Sequence, residues 1–417
     1  MIRNVLTRGA DNGHLDRKPY RRSLVAAAAV TSVAMATAAA GCSSNDSSTN
    51  GGKSPIKVMV ISTLQSPAFG FPEAVDGAKA AAAKINAAGG VDGRQIEIES
   101  CNDQFDPNAA AACAQKAVSQ KVSGVVTGYT PYGSKILPAL QAAKIPFVGL
   151  IPGTDTEWNS PAAFPFGAGS TGNLVGVAIE LADQKCTKAG VITGVDSTSN
   201  ATGEAVKAAF KQRNVDVVYT TTIPPTAADV SPQTAALVKA GAKCVVTVIP
   251  PAVKLSFIKA AYAADDSMLI GLSGLDDPAA AKLGPASKNL VKGDTVYPAT
   301  SDQLKPFVAD LHAFNASGVV STWSLNAYTG VQAIAQVAGG LDKVDGASLT
   351  AALNKAAVTL TGYPKPVNFS KPLAIKGITR MFSTDVVTAS FDGAHFIAYP
   401  QPVKNVLSVM QAIGGAS

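Results

Sequence analysis

The residue types that most often carry catalytic chemistry are sparse in this chain. Its 417 residues include three histidines, His14, His312 and His395. His312 falls in a helical stretch, and His395 follows an Asp-Gly pair that is typical of a hairpin turn. We therefore expect His312 to be a surface or packing residue and His395 to flank a turn.

The spacings that mark common active sites are also missing from the sequence. The segment 167–172, GAGSTG, has Ala168 where a nucleophile elbow needs its first glycine. No phosphate-binding Walker loop and no His-Glu-x-x-His zinc motif occurs. The acidic pairs at 265–266 and 276–277 lie in turn-like contexts, where such residues usually cap helices. The sequence thus gives no positive case for an enzyme, and we expect no catalytic residue, no metal site and no cofactor.

The N-terminal segment has the layout of an export signal. A basic cluster at 17–22 precedes an uncharged, Ala-rich run of 17 residues, Leu24–Ala40. This order of basic, apolar and small residues predicts a signal peptide over residues 1–41. The alternative is a membrane anchor, but a run of this length is marginal for crossing about 30 Å of hydrocarbon.

Residues 39–42, AAGC, resemble a bacterial lipobox, in which a lipid is attached to the cysteine sulfur. A typical lipobox has leucine where this chain has Ala39. Residues 42–54 are rich in Ser, Gly and Asn and would form a flexible tether. We therefore expect lipid attachment at Cys42.

The arginine pair at 21–22 resembles a twin-arginine signal. Both the twin-arginine and the general secretory export routes therefore stay open.

Charge and composition limit the possible partners. Hydrophobic residues make up 47% of the chain and charged residues 15%, which excludes a disordered protein, and the length suggests two domains. The net charge is +6. Residues 1–41 hold six of the 35 basic and two of the 29 acidic residues, so 29 and 27 remain, a net charge of +2. This near-neutral balance does not indicate binding to nucleic acid.

Four cysteines follow the proposed lipid site, and export would place them where disulfides form. They allow three pairings. Cys101 ends a predicted strand and Cys113 lies on the next helix, so these two can pair locally. Cys186 precedes the first strand of a second α/β run and Cys244 opens its third strand. In a sheet of order 2-1-3 those strands are neighbours, which favours a Cys186–Cys244 bond. The spacings do not suggest a metal site.

Strand-like and helix-like segments alternate along the rest of the chain. A first run of alternating segments extends from Ile56 to Leu150 and a second from Thr171 to Gly271. Helical segments and a β-rich tail with alternation near 379–391 follow. Repeated strand–helix alternation with short connections predicts an α/β fold with two doubly wound parallel-sheet, Rossmann-like lobes.

One segment carries a more specific resemblance. Residues 85–94, INAAGGVDGR, end a helix at two glycines, turn at Asp-Gly and begin a strand. Asp103 and Asp106-Pro107 follow closely, and a loop with Ser66-Pro67 follows the first strand. This order resembles type I periplasmic solute-binding proteins, in particular the Leu/Ile/Val-binding family that serves ABC importers, over most of residues 57–399.

The resemblance implies two lobes joined by three hinge crossings, with ligand trapped between them. The crossings would fall near 166–170, 296–300 and roughly 359–369. Lobe 1 would then comprise residues 55–168 plus 299–358, and lobe 2 residues 169–298 plus 359–417.

The family holds a ligand carboxylate with two loops, which map here to residues 129–134 and 152–154. The resemblance therefore implies ligand contacts from residues that follow two strands of the first lobe, and from one aromatic residue near them. They are Ser66, Phe71, Tyr132, Gly133, Ser134, Gly153 and Thr154.

The second lobe departs from the family. The position of the acid that holds a ligand ammonium is Ser273 here, and a family tyrosine falls near Thr202. A buried ammonium would lack its carboxylate unless Asp196 or Asp276 substitutes. We therefore expect a ligand that is a carboxylate, an amide or an aromatic acid rather than a free amino acid, with Thr202 and Ser273 beside it.

Taken together, the resemblance implies a lipoprotein on the outer face of the cytoplasmic membrane that delivers a small molecule to an ABC permease. We expect it to be monomeric, to contact the membrane only through its lipid and to bind no nucleic acid. A ligand sensor that signals to a membrane receptor is the alternative, and an exported enzyme is a third possibility.

Overall fold

The structure, a computed structural model, describes residues 53–67 and 69–414. The predicted signal peptide, the lipid site at Cys42 and most of the tether at 42–54 lie outside these residues. Within the described part of the chain, no helix combines the length and the apolar character that crossing a membrane requires.

The strands fall into two large sheets and one short hairpin-like pair. In chain order they are β1 (Ile56–Ser62), β2 (Ile96–Asn102), β3 (Gly124–Val126), β4 (Phe147–Val148), β5 (Ala163–Phe164), β6 (Lys188–Thr193), β7 (Asp216–Thr222), β8 (Cys244–Val248), β9 (Leu269–Leu272), β10 (Leu290–Asp294), β11 (Ala357–Val358), β12 (Val367–Asn368), β13 (Asp385–Phe391) and β14 (Phe396–Asn405).

The helices cover both faces of the sheets. In chain order they are α1 (Glu73–Ala87), α2 (Pro107–Ser119), α3 (Gly133–Ala142), α4 (Asp155–Asn159), α5 (Gly169–Asp183), α6 (Ser197–Gln212), α7 (Ser231–Lys239), α8 (Pro251–Ala264), α9 (Asp277–Ala281), α10 (Lys305–Phe314), α11 (Thr322–Ala338), α12 (Gly346–Leu353) and α13 (Leu407–Gly414). Short 3-10 turns occupy Gly284–Ser287 and Asp302–Leu304.

The first sheet is parallel throughout, in the order β2-β1-β3-β4-β5. Its central strand β1 is apolar on both faces, as a strand covered by helices on both sides must be. Val58 and Val60 pack into the cluster with α1 and α11, whereas Met59 and Ile61 pack into the cluster with α2 and α3. This confirms the doubly wound first lobe.

The second sheet has the order β14-β13-β10-β9-β8-β6-β7. Strands β6 to β10 are parallel, with β7, β6 and β8 adjacent in the 2-1-3 arrangement that the sequence predicts. The β-rich tail supplies β13 and β14, which pair antiparallel and extend this sheet. Val191 and Ile192 point to opposite apolar clusters, so this sheet is also covered on both faces.

Both predicted disulfide bonds are present. Cys101 at the end of β2 is bonded to Cys113 on α2, and Cys186 is bonded to Cys244 at the start of β8. Each bond joins two elements of one lobe, so neither restricts movement between the lobes.

The chain passes between the sheets after β5 and after β10, and again before β13. Leu360, Val367 and Phe369 pack in a cluster of the first lobe, whereas Leu373 and Met381 pack in one of the second. Phe382, however, packs again in the first-lobe cluster, 5.1 Å from Phe369 between ring centroids. We therefore propose that the third crossing lies between Phe369 and the start of β13; the predicted lobe bounds stay predictions.

Helices α1 and α11 approach each other closely beside the carboxyl edge of the first sheet. Alanines at 74, 78 and 81 give α1 a flat buried face, and Gly77 lies against the backbone of Ser324 on α11. A Cβ at Gly77 would lie 1.9 Å from the Ser324 carbonyl oxygen, so any side chain would force the helices apart. This contact sets the position of the first turn of α11.

We expect Gly77→Ala to lower the free energy of unfolding by about 1–3 kcal/mol through overpacking. At a helical position with room for a side chain, the same change from glycine to alanine would instead stabilise the helix by about 1 kcal/mol. Urea denaturation measures the change. Lys79→Ala, at an exposed position of the same helix, is the control and should stay within about 0.5 kcal/mol of wild type. Equal stability of Gly77→Ala and wild type would contradict the close approach.

Candidate functional site

A cavity of about 940 Å³ lies between the two sheets. Its walls come from residues after β3, β4, β8 and β9, from the start of α6 and α11, and from the first two crossings. Loops and helix N-termini at the carboxyl ends of parallel strands form the usual ligand site of doubly wound folds. Because residues of both lobes line it, a molecule bound there would contact both.

The first-lobe wall is a group of aromatic side chains that contact one another. Phe71 lies 4.9 Å from Trp323 and 5.7 Å from Tyr129 between ring centroids. Phe69 lies 5.5 Å from Phe71 and 4.8 Å from Phe105. We call Phe69, Phe71, Phe105, Tyr129 and Trp323 the aromatic wall. Rings held in tilted and edge contacts form a firm apolar surface, suited to a planar or aliphatic ligand.

Asn326 on α11 holds the loops behind this wall. Its Nδ2 donates to the carbonyl oxygens of Thr127 at 2.9 Å and Gly149 at 2.8 Å, at the ends of two neighbouring strands. Gly128 lies between α1 and the Trp323 carbonyl, where a Cβ would meet that of Ala74 at 2.4 Å. The loops and helices behind the aromatic wall are therefore tightly packed.

The second-lobe wall is polar and carries positive charge. The Thr202 hydroxyl is hydrogen-bonded to that of Thr171 at 2.8 Å, and the Thr247 hydroxyl donates to the Gly271 carbonyl at 3.0 Å. Ser273 and the side chains of Lys254 and Lys292 complete this wall. A ligand would thus meet hydroxyls and ammonium groups opposite the aromatic rings.

Lys254 is the unusual group of this wall, because it is only 7% exposed. Its Nζ donates to the Ser273 carbonyl at 2.7 Å, and among the described residues it forms no ion pair. Burial, and then the charge of Lys292, lower the pKa of Lys254 to about 8. A buried ammonium without a carboxylate is costly for the protein.

Lys292, in contrast, has a partner within the protein. Its Nζ lies 3.3 Å from Asp294 Oδ2, which also accepts a hydrogen bond from the Thr322 hydroxyl at 3.1 Å. Lys292 belongs to β10, Asp294 begins the second crossing and Thr322 begins α11. The charge of Lys292 is therefore compensated at the hinge, and that of Lys254 is not.

The structure places the predicted site residues in two groups. Phe71, Thr202 and Ser273 line the cavity. Ser66 lies beside it, where its hydroxyl donates to the Phe69 carbonyl at 2.5 Å, and Tyr132 donates from its hydroxyl to the Phe105 carbonyl at 3.0 Å. Ser66 and Tyr132 are not themselves among the residues that line the cavity. Four further predicted residues of the two carboxylate-binding loops do not line it either. They are Gly133, Ser134, Gly153 and Thr154.

The backbone N–H groups of those loops bind a carboxylate of the chain itself. Glu157, on the short helix α4, accepts from Ser134 at 3.0 Å, from Gly153 at 2.7 Å and from Thr154 at 2.9 Å. Gly133 permits the approach, since a Cβ there would lie 2.5 Å from Glu157 Oε1. Glu157 is 3% exposed, and burial raises its pKa although these hydrogen bonds oppose the rise. We call these three N–H groups the amide cradle.

Sequence reasoning missed four residues that shape the site: Lys254, Trp323, Asn326 and Glu157. Lys254 had a signal, because it is the one charged residue in the mostly apolar stretch 253–258. The Thr-x-x-Glu spacing at 154–157 is a capping-box signature that could have revealed the short helix. Trp323 and Asn326 come from a helix far along the chain, and no local pattern links them to the loops they contact.

The sequence matches the model of a family described as periplasmic binding protein over residues 55–390. No protein of curated function matches the sequence.

Solved structures share the fold at low sequence identity. An ABC transporter solute-binding protein from R. palustris in complex with 4-hydroxybenzoate has a TM-score of 0.70 and 23% identity, covering 85% of this chain and 97% of that one. A fatty acid ABC transporter substrate-binding protein from Thermomonospora curvata has a TM-score of 0.70 and 16% identity, covering 87% and 94%. A putative branched-chain amino acid ABC transporter from Rhodospirillum rubrum has a TM-score of 0.65 and 17% identity, covering 83% and 100%.

The buried ammonium of Lys254 predicts a specific dependence of stability on pH. Its pKa in the folded protein, about 8, is below the usual 10.5, so the unfolded chain binds more protons between these values. Stability relative to Lys254→Met should therefore rise across pH 8 to 10.5, by up to about 3 kcal/mol. Urea denaturation at several pH values measures this difference.

The matched control is Lys259→Met, at an exposed position of the same helix. Its stability curve should stay parallel to that of wild type over the same pH range. The other charged groups that line the cavity, Lys292, Asp276 and Asp294, are present in all three proteins. Parallel curves for wild type and Lys254→Met would show that the ammonium is not desolvated.

Proposed function

The chain belongs to the periplasmic binding protein family, and on that premise we propose that it is the extracytoplasmic substrate-binding component of an ABC importer. One observation carries the proposal: a cavity of about 940 Å³ opens between two independently packed lobes, with an aromatic wall facing a polar one. Such a site binds and releases a small molecule.

The mechanism that we propose is closure of the lobes around the hinge. Each lobe has its own disulfide and its own apolar clusters, so each can move as a rigid body. Ligand contacts with both walls would favour the closed form, and the closed form would dock on a permease. Thr202 and Ser273 would meet the ligand from one side and Phe71 from the other.

The ligand that fits this cavity has an aromatic or aliphatic body. The aromatic wall supports this. Solved structures of the same fold include a solute-binding protein in complex with 4-hydroxybenzoate and the substrate-binding protein of a fatty acid ABC transporter. A free amino acid fits less well, because the second wall offers its ammonium no free acid. Asp276 accepts from the Ala279 N–H at 2.8 Å and Asp196 from the Ser199 N–H at 2.8 Å, so both cap helices.

We further propose that the protein is exported and anchored in the cell envelope by a lipid on Cys42. The sequence pattern of residues 17–42 and the family's extracytoplasmic role support this. Residues 42–54 would separate the lobes from the membrane and leave them free to open and close. In this arrangement the protein acts as a monomer whose partners are the ligand and the permease.

A thermal-shift screen of small metabolites tests the function. We expect an aromatic or aliphatic acid to raise Tm without being converted, since a ligand at 100 times its Kd adds about 2.7 kcal/mol. Steady turnover of a stabilising compound would instead show an enzyme. A shift with leucine equal to that of the best acid would contradict the proposed ligand class.

Phe71→Ala should weaken binding of the best compound about tenfold or more, because it removes a central ring of the aromatic wall. Isothermal titration calorimetry measures the Kd. Phe314→Ala is the control, since Phe314 is 42% exposed and does not line the cavity. Equal effects of the two substitutions would place the ligand elsewhere.

A further inference from the structure

We propose that Lys254 binds a carboxylate of the ligand, so that charge is recognised by the second lobe and not by the amide cradle of the first. This inference rests on the proposed function, because it names the chemistry of the same cavity. It combines a buried cation that lacks a counter-ion with an anion-binding cradle that is already filled.

The cation is built into the second lobe. Helix α8 places Lys254 on its buried face beside Val253 and Phe257. The side chain lines the cavity, and its ammonium donates a hydrogen bond to the Ser273 carbonyl. An ammonium has three donors, so two can reach a bound molecule. No carboxylate of the described residues forms an ion pair with Lys254, whereas Lys292 next to it is paired with Asp294.

A ligand carboxylate would supply the missing partner. It would compensate a charge that the protein has already removed from water, and such charge-assisted hydrogen bonds are stronger than neutral ones. The neighbouring Ser273, Thr247 and Thr202 hydroxyls would add polar contacts. A ligand ammonium at this place would be repelled by Lys254 and Lys292.

The first lobe cannot bind a ligand carboxylate at the amide cradle without losing an internal contact. All three N–H groups of the amide cradle donate to Glu157, at 2.7 to 3.0 Å. A ligand carboxylate would have to displace this buried side chain and leave it without its donors. Glu157 thus occupies the place where the family resemblance implied a ligand carboxylate.

The orientation of the ligand follows from these two facts. Its carboxylate lies at Lys254 and its apolar body lies against the aromatic wall, where Phe71 and Trp323 meet. The ligand class is a monocarboxylate with an aromatic or aliphatic body. An amide of the same shape would keep the contacts with the wall and lose the charge pairing.

The test compares matched probes on the full-length protein by isothermal titration calorimetry. The acids are 4-hydroxybenzoate and octanoate, and each is paired with its primary amide. We expect wild type to prefer the better-binding acid over its amide about tenfold or more, the effect of a pairing worth at least about 1.4 kcal/mol. Lys254→Met should abolish this preference while the Kd of the amide changes less than about threefold.

Two further variants separate recognition from folding. Lys254→Arg should keep a preference for the acid, because the positive charge remains. Lys259→Met, on the exposed face of the same helix, should behave as wild type. If Lys254→Met unfolds, Lys254→Gln replaces it, and circular dichroism checks each variant.

The outcomes distinguish this inference from the proposed function. Equal binding of acid and amide to wild type, or an unchanged preference in Lys254→Met, would overturn the role of Lys254 and leave solute binding intact. If neither acid nor amide binds while another small molecule does, the proposed role of Lys254 is wrong and the proposed solute binding is supported. Failure of every small molecule in the screen would overturn both.

Discussion

The arrangement of the cleft depends on one buried carboxylate. Glu157 joins the N-terminus of α3 to the loop before α4 by accepting from three N–H groups, and so holds together the ends of two neighbouring strands. Asn326 joins the same strand ends from the other side through its amide. Because both contacts are buried, neither loop can move without leaving polar groups unpaired, which costs about 1–3 kcal/mol for each group. The two loops at these strand ends are therefore fixed in place behind the aromatic wall.

The two walls divide recognition between them. The aromatic wall is ordered by contacts among its own rings before any ligand arrives, so binding there requires little further loss of side-chain freedom. The second wall carries the ammonium of Lys254, which is already buried before ligand binds. The free energy cost of removing this charge from water is therefore already present in the free protein. Under our proposal, one wall recognises shape and apolar area, and the other recognises charge.

The sequence was sufficient for the parts of the fold that have a long repeating pattern. Strand–helix alternation predicted both lobes, and the strand order of the second lobe placed Cys186 beside Cys244. The strands β4 and β5 and the helix α4 are too short to show any period, so α4, with Glu157, was missed. Trp323 and Lys254 were missed for another reason. Their contacts with the cavity arise from packing between distant segments. Lys254 had a local signal, as a single charge in a stretch without others, and Trp323 had none.

The division of recognition also explains how one site can couple binding to closure. A ligand shifts an equilibrium between open and closed forms only by the difference in its affinity for the two. A purely apolar molecule would be satisfied by the aromatic wall alone, and a small anion by Lys254 alone, so neither gains much when the lobes approach. Under the proposed closure mechanism, a molecule with an apolar body and one carboxylate would gain contacts with the second wall as the lobes approach. Separate placement of ring contacts and charge on opposite lobes would then make closure selective for a ligand that carries both.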